Sequence, residues 1–174
     1  MDLRVSTPTA QVRIVTDLDA LRESITLTNR INALSSPTAN RTEAEAAADA
    51  RERERLLDDL RETAGRVDAS TITLTLQGLH SNEWNQLVTR CTGMDNGRET
   101  KDLAKLARLS TPRMLTAVTA PDGTPIEADE TAVNGLVDSL TDSQTLELLQ
   151  TIQELNTPVT SLPKETSALL KSTS

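Results

Sequence analysis

The chain has 174 residues, 36 % of them apolar, a net charge of −8, and Trp84 as its sole aromatic residue. It holds no run approaching the roughly 18 apolar residues of a membrane span, and one cysteine, Cys91, excludes an intrachain disulfide. Residues 120–174 carry two basic and nine acidic groups, and the only weakly basic stretch, Arg98 to Arg113, is diluted by Glu99 and Asp102. That stretch reads as a solvated helix face, not as the dense cationic surface a nucleic-acid binder needs.

The opening Met1-Asp2-Leu3-Arg4 lacks the basic and apolar regions of a secretory signal. With the lone cysteine, this points to the cytoplasm. A core without Phe or Tyr must be built from aliphatic side chains, each burying less area than an aromatic ring. Such a core is modest, and self-association or a partner would add to it.

Gln11–Val15 reads as a short strand. A helix follows to about Leu34, capped by Thr16 or Asp17. Its apolar residues form two offset sets, Leu18, Leu21 and Ile25, then Leu27, Ile31 and Leu34. Ser35-Ser36-Pro37 ends it. A second helix spans about Thr42 to Arg66, opening with strong helix formers and carrying Leu56, Leu57, Leu60 and Val67 as a narrow stripe. Asp49/Arg53 and Glu62/Arg66 stand four apart in the favourable acid-first order. Two helices joined by a short Pro-containing loop predict an antiparallel hairpin, or a solvated arm without a partner.

Thr71–Gln77 alternates polar and apolar residues without a fault, the strongest strand signal in the chain. Ile72, Leu74 and Leu76 would share one face. The strand needs a neighbour, either Gln11–Val15 or another chain. Ser81 reads as the cap of a helix in which Trp84, Leu87, Val88 and Cys91 recur at helical spacing. Gly93–Gly97 reads as a turn, Asp102–Leu109 as a helix, and Pro112 as the start of a short apolar segment with Met114, Leu115 and Val118. Ala120–Pro125 is a loop. Asp129 caps a helix with Val133, Leu136, Val137 and Leu140 on one face. Thr141 or Asp142 caps another, lined by Leu146, Leu148, Leu149, Ile152 and Leu155 and ended by Asn156 and Pro158. The Ser-, Thr- and Pro-rich remainder reads as a flexible tail with Leu169-Leu170 as a short docking motif.

The predicted fold is therefore mainly α: an N-terminal helical hairpin, one short β-strand element at about 71–79, then a small C-terminal helical bundle. The expected domains are a hairpin arm at 1–68, a mostly helical core with one strand at 69–157, and a tail at 158–174.

Little in the chain points to catalysis, and neither a cofactor nor a metal is expected. No glycine-rich phosphate loop or serine elbow is present. His80 is the sole histidine and reads as a loop or capping residue. Cys91 falls on the apolar side of its helix and reads as a buried structural thiol. Trp84 is either the largest filler of the core or an interface anchor.

The order of these features resembles the tail assembly chaperones of long-tailed bacteriophages, particularly those of actinobacteria. The resemblance rests on Thr71–Leu79 followed by Ser81-Asn82-Glu83-Trp84-Asn85-Gln86-Leu87, then Asp122-Gly123-Thr124-Pro125, the Leu-rich helices from Leu136 to Leu155, Asn156 and Pro163-Lys164. It implies a protein that binds the tape measure protein in the host cytoplasm, keeps it soluble while tail tube subunits polymerise, and is absent from the mature virion. It also implies a longer form made by frameshifting. The expected partners are the tape measure protein, with the tail tube protein and self-association as further candidates, and neither nucleic acid nor a membrane. The expected binding residues are Trp84, Leu136, Leu140, Leu148, Leu149 and Ile152, which would capture apolar stripes of the partner's helices or else pack on one another. Two other functions compete: a small structural tail or connector protein whose strand pairs between subunits, and a regulator that dimerises through its hairpin.

Overall fold

The computed structural model describes residues 5–36 and 41–158. The elements in chain order are β1 (Thr9–Val15), α1 (Leu18–Leu34), α2 (Glu43–Ala69), β2 (Thr71–Gln77), α3 (Ser81–Arg90), β3 (Thr92–Asp95), β4 (Arg98–Lys101), α4 (Leu103–Met114), β5 (Leu115–Thr119), α5 (Glu130–Ser139) and α6 (Asp142–Asn156). The stretch read as a tail lies outside the described residues beyond Pro158, and with it Leu169-Leu170 and Pro163-Lys164.

The expectation of a mainly α chain with one strand is overturned. The described residues are 61 % helical and 19 % strand, in a mixed α/β fold with two small antiparallel sheets. The larger sheet has the order β1-β2-β5, and the smaller pairs β3 with β4. β2 thus has a strand on each side, and its pairing requires no second chain. Gly78 donates its N–H to the Pro8 carbonyl at 2.9 Å, and Thr16 donates to Ser70 at 3.0 Å, so β1 and β2 run in opposite directions.

The missed strands have identifiable physical causes. β3 and β4 carry Thr-Gly-Met-Asp and Arg-Glu-Thr-Lys, with no apolar alternation, because almost every residue of the pair is exposed. The turn does the work instead: Asn96 and Gly97 both have positive φ, 49° and 78°, as a two-residue hairpin connection requires. The register pairs Asp95 with Arg98 and Thr92 with Lys101. At β5, Met114, Leu115 and Val118 fit a helical period as well as they fit a strand end. Pro112 does not start that segment but sits inside the last turns of α4. The loop after β5 folds straight back: Ala120 donates to Thr124 and Ile126 to Val118, each at 2.8 Å.

The chain divides into two compact units. The first comprises Arg13–Leu74 and Val118–Ile126. Here α1 packs along α2 with Leu27, Ile31 and Leu56 buried between them and Leu34, Leu57 and Leu60 alongside. The drift between the two apolar sets of α1 is resolved by burial: Leu27 and Ile31 face inward, while Leu18 and Ile25 are exposed. Asp17 caps α1 by accepting from Ala20 at 2.9 Å. Thr42 and Glu45 form a reciprocal capping box on α2. The ion pairs differ from those expected along α2. Asp49 pairs with Arg41 at 3.1 Å, and Arg66 reaches Asp17 at 3.5 Å and Glu23 at 3.2 Å. Helix packing sets carboxylates of α1 within reach of Arg66, so it bonds across the hairpin rather than along its own helix.

The second unit comprises the chain up to Val12, Thr75–Ala117 and the chain from Glu127 on. Leu76, Leu87, Met114, Leu148 and Ile152 are fully buried within it. Two hydroxyls enter this interior on α4. Ser110 and Thr111 satisfy them by donating to the carbonyls of Leu106 and Ala107 at 2.6 and 2.7 Å. Asp129 caps α5, and Thr141 with Gln144 forms a second capping box on α6. Ser81 is the first residue of α3 rather than its cap. His80 holds the cap position and makes no side-chain capping bond.

Candidate docking groove

Three helices of the second unit border an apolar groove of about 440 Å³. Helix α3 contributes Trp84 and Val88, one turn apart. Helix α4 contributes Leu103 and Leu106. Helix α6 contributes Leu146, Leu149, Gln150 and Gln153, and Lys101 stands at the end of β4. The spacings i, i+4 on α3 and i, i+3 on α4 put each pair on one helix face. The hairpin β3–β4 determines where α4 begins: Asp102 donates its N–H to the Cys91 carbonyl at 2.8 Å and then caps α4 by accepting from Lys105 at 2.9 Å.

The rim of the groove is unusual in its exposure. Leu146 is 64 % exposed and Leu103 50 %, while Trp84 is half-buried. Leucine exposed singly is ordinary, but two leucines beside a tryptophan on one concavity form a continuous wettable apolar patch, the kind of surface that marks an interaction site.

The expected binding residues separate into three groups. Trp84 and Leu149 meet in the groove. Leu148 and Ile152 are fully buried, and Leu149 is 8 % exposed, so Leu148 and Ile152 serve the interior and present nothing to a partner in this conformation. Leu136 and Leu140 are half-buried on and just after α5, away from the groove-lining set. The residues not anticipated are Val88, Lys101, Leu103, Leu106 and Leu146. The signal for Leu146 was partial. At about 100° of rotation per residue, it lies roughly 160° from Leu148 by the shorter way but only about 60° from Leu149, at the edge of the buried stripe.

His80 is exposed, and Cys91 is buried and caps the end of α3. Burial pushes the Cys91 thiol above its ordinary range, with the Asp102 carboxylate adding to the effect. A raised thiol is a poor nucleophile at neutral pH. Among the described residues no cluster of three or more His, Cys, Asp or Glu is placed to hold a metal ion. Among the same residues, no helix is long and apolar enough to cross a membrane.

No protein-family model, curated protein or solved structure matches this chain.

Proposed function

We propose that this chain is a tail assembly chaperone of a long-tailed bacteriophage, and that it holds an amphipathic helix of the tape measure protein in the groove between α3, α4 and α6. The observation that carries the reading is the apolar concavity of Trp84, Leu103, Leu146 and Leu149, whose two rim leucines, Leu103 and Leu146, are at least half exposed. Its volume and chemistry suit two or three aliphatic side chains presented at helical spacing. The order of sequence features from Thr71 to Asn156 supplies the family. The capture surface differs from the one expected from sequence: Leu103, Leu106 and Leu146 take the place of Leu148 and Ile152.

On this reading the complex forms in the host cytoplasm and is lost before the virion is finished. The acidic last third of the chain keeps the loaded complex soluble. The test is co-expression with the tape measure protein of the same phage genome, followed by size exclusion of the soluble fraction. Co-elution with wild type, and loss of the partner to aggregates with L103E/L146E, is the expected result. Both leucines are at least half exposed, so the variant should keep its fold. A partner that stays insoluble beside the wild-type chain would refute the reading.

A further inference from the structure

The groove carries one charge beside its apolar floor, and the depression that continues from it carries another of opposite sign. Lys101 is the one charged residue among its lining, and among the described residues it makes no ion pair. The other lining polar groups, Gln150 and Gln153, are neutral and also line a shallower depression that continues along α6 to Glu154, Thr157 and Pro158. Glu154 is exposed, and its carboxylate accepts a hydrogen bond from the Gln150 amide at 3.0 Å. The track therefore bears a cation at the groove, unpaired among the described residues, and an anion along its continuation.

We infer that the occupant is an amphipathic helix with an acidic residue beside its apolar stripe, seated at Lys101, and a basic residue further along, seated at Glu154, so that the two charges fix its direction in the groove. This rests on the docking reading above and adds the partner's charge pattern to it. An occupant with the reverse pattern would place like charges together at both ends. Charge in such rims governs orientation and partner choice more than overall affinity.

The probes are fluorescently labelled, overlapping 25-residue peptides spanning the tape measure protein, titrated with the full chain at low salt. The expected ligand carries Leu, Ile, Val or Met at i, i+3 or i+4 and i+7, flanked by an acid and a base. K101E and E154K each weaken its binding by about two- to fivefold, the range of exposed ion pairs, and the loss shrinks at high salt. The double variant K101E/E154K binds the peptide with its two charges exchanged better than the native one. Full wild-type binding by K101E, E154K and the double variant would overturn the charge pattern while leaving the docking reading intact. Failure of every peptide and of the full-length partner to bind wild type would remove both. Tighter peptide binding by L169E/L170E would place this chain's own C-terminal segment in the groove. A wild-type dimer dispersed by L146E would place a second copy there. Either of these last results overturns the inference.

Discussion

The side-chain carbonyl of Asn156 accepts the backbone N–H of Leu79 at 2.8 Å, joining the last residue of α6 to the segment between β2 and α3. The same side chain donates through Nδ2 to the Ile152 carbonyl at 2.6 Å and approaches the Met114 sulfur at 3.4 Å. One amide thus ties the end of α6 to the strand exit and to α4. The C-terminal end of the groove wall formed by α6 is held by that anchorage. Asn156→Ala leaves the partly buried Leu79 N–H without its partner and should cost about 0.5–1.5 kcal/mol, the usual net worth of a hydrogen bond. Asn156→Asp keeps the acceptor, loses the donor and adds negative charge at a helix C-terminus, where the dipole disfavours it. Urea unfolding should rank wild type above both variants.

Gly78 gives a sharper steric prediction. A Cβ built at this position would lie 2.5 Å from the Leu155 carbonyl oxygen and 3.4 Å from Cδ of Pro8. The obstacle is backbone, so it cannot rotate aside. Gly78→Ala should destabilise the protein by about 1–3 kcal/mol, the cost of overpacking, and lower the urea midpoint without changing the slope. By contrast, nothing lies within 4 Å of a Cβ at Gly65, near the C-terminal end of α2. Gly65→Ala should be stabilising by roughly 0.5–1 kcal/mol through helix propensity.

The start of α2 should respond to acid. The Thr42 backbone N–H, and then the Thr42 hydroxyl, hold the Glu45 carboxyl below its ordinary value of 4.5. A depressed carboxyl contributes stability that is present above its unfolded pKa and is lost as pH falls through the folded one. The helix N-terminus should therefore fray below about pH 4.5, within the range where carboxylates titrate. Amide exchange at Glu43–Ala46 should rise in that window in wild type, and Glu45→Gln should abolish the acid step while retaining a weaker cap.

Cys91 should resist thiol reagents. It is buried and its thiol is raised by that burial, so the thiolate population at pH 7.5 is small. Reaction with a disulfide reagent should be slow in native protein and rapid in denaturant. Rapid labelling of the native chain would mean that α3 opens readily at its C-terminal end.

Much of the fold was legible where one period dominated. The alternation of Thr71–Gln77 marked β2, and the caps Asp17, Asp102 and Asp129 mark helices that begin one residue later. The periods failed where tertiary pairing overrode them. β3 and β4 have no apolar face to read, and only Asn96-Gly97 betrays the hairpin. β5 follows α4 without a loop, so its apolar residues blend with a helical stripe. Half of the candidate site was visible for a related reason. Trp84 and Leu149 stand on amphipathic faces, and such faces fill cores as readily as they bind partners. Leu148 and Ile152 were therefore indistinguishable from groove residues until burial separated them. Leu103 and Leu146 fit the apolar stripes of their helices, and the sequence does not show that they stop at the rim, 50 % and 64 % exposed, while Leu106 and Leu149 beside them are buried.

The sole aromatic residue of the chain lines the groove, so intrinsic fluorescence reads that site alone. The most direct measurement is Trp84 emission during titration with Trp-free segments of the tape measure protein. A helix seated in the groove covers the part of the indole still open to solvent, so a saturable blue shift in wild type, reduced or absent in L146E, is the expected result. No shift at concentrations where the two proteins co-elute, or an identical shift in L146E, would contradict docking at this groove.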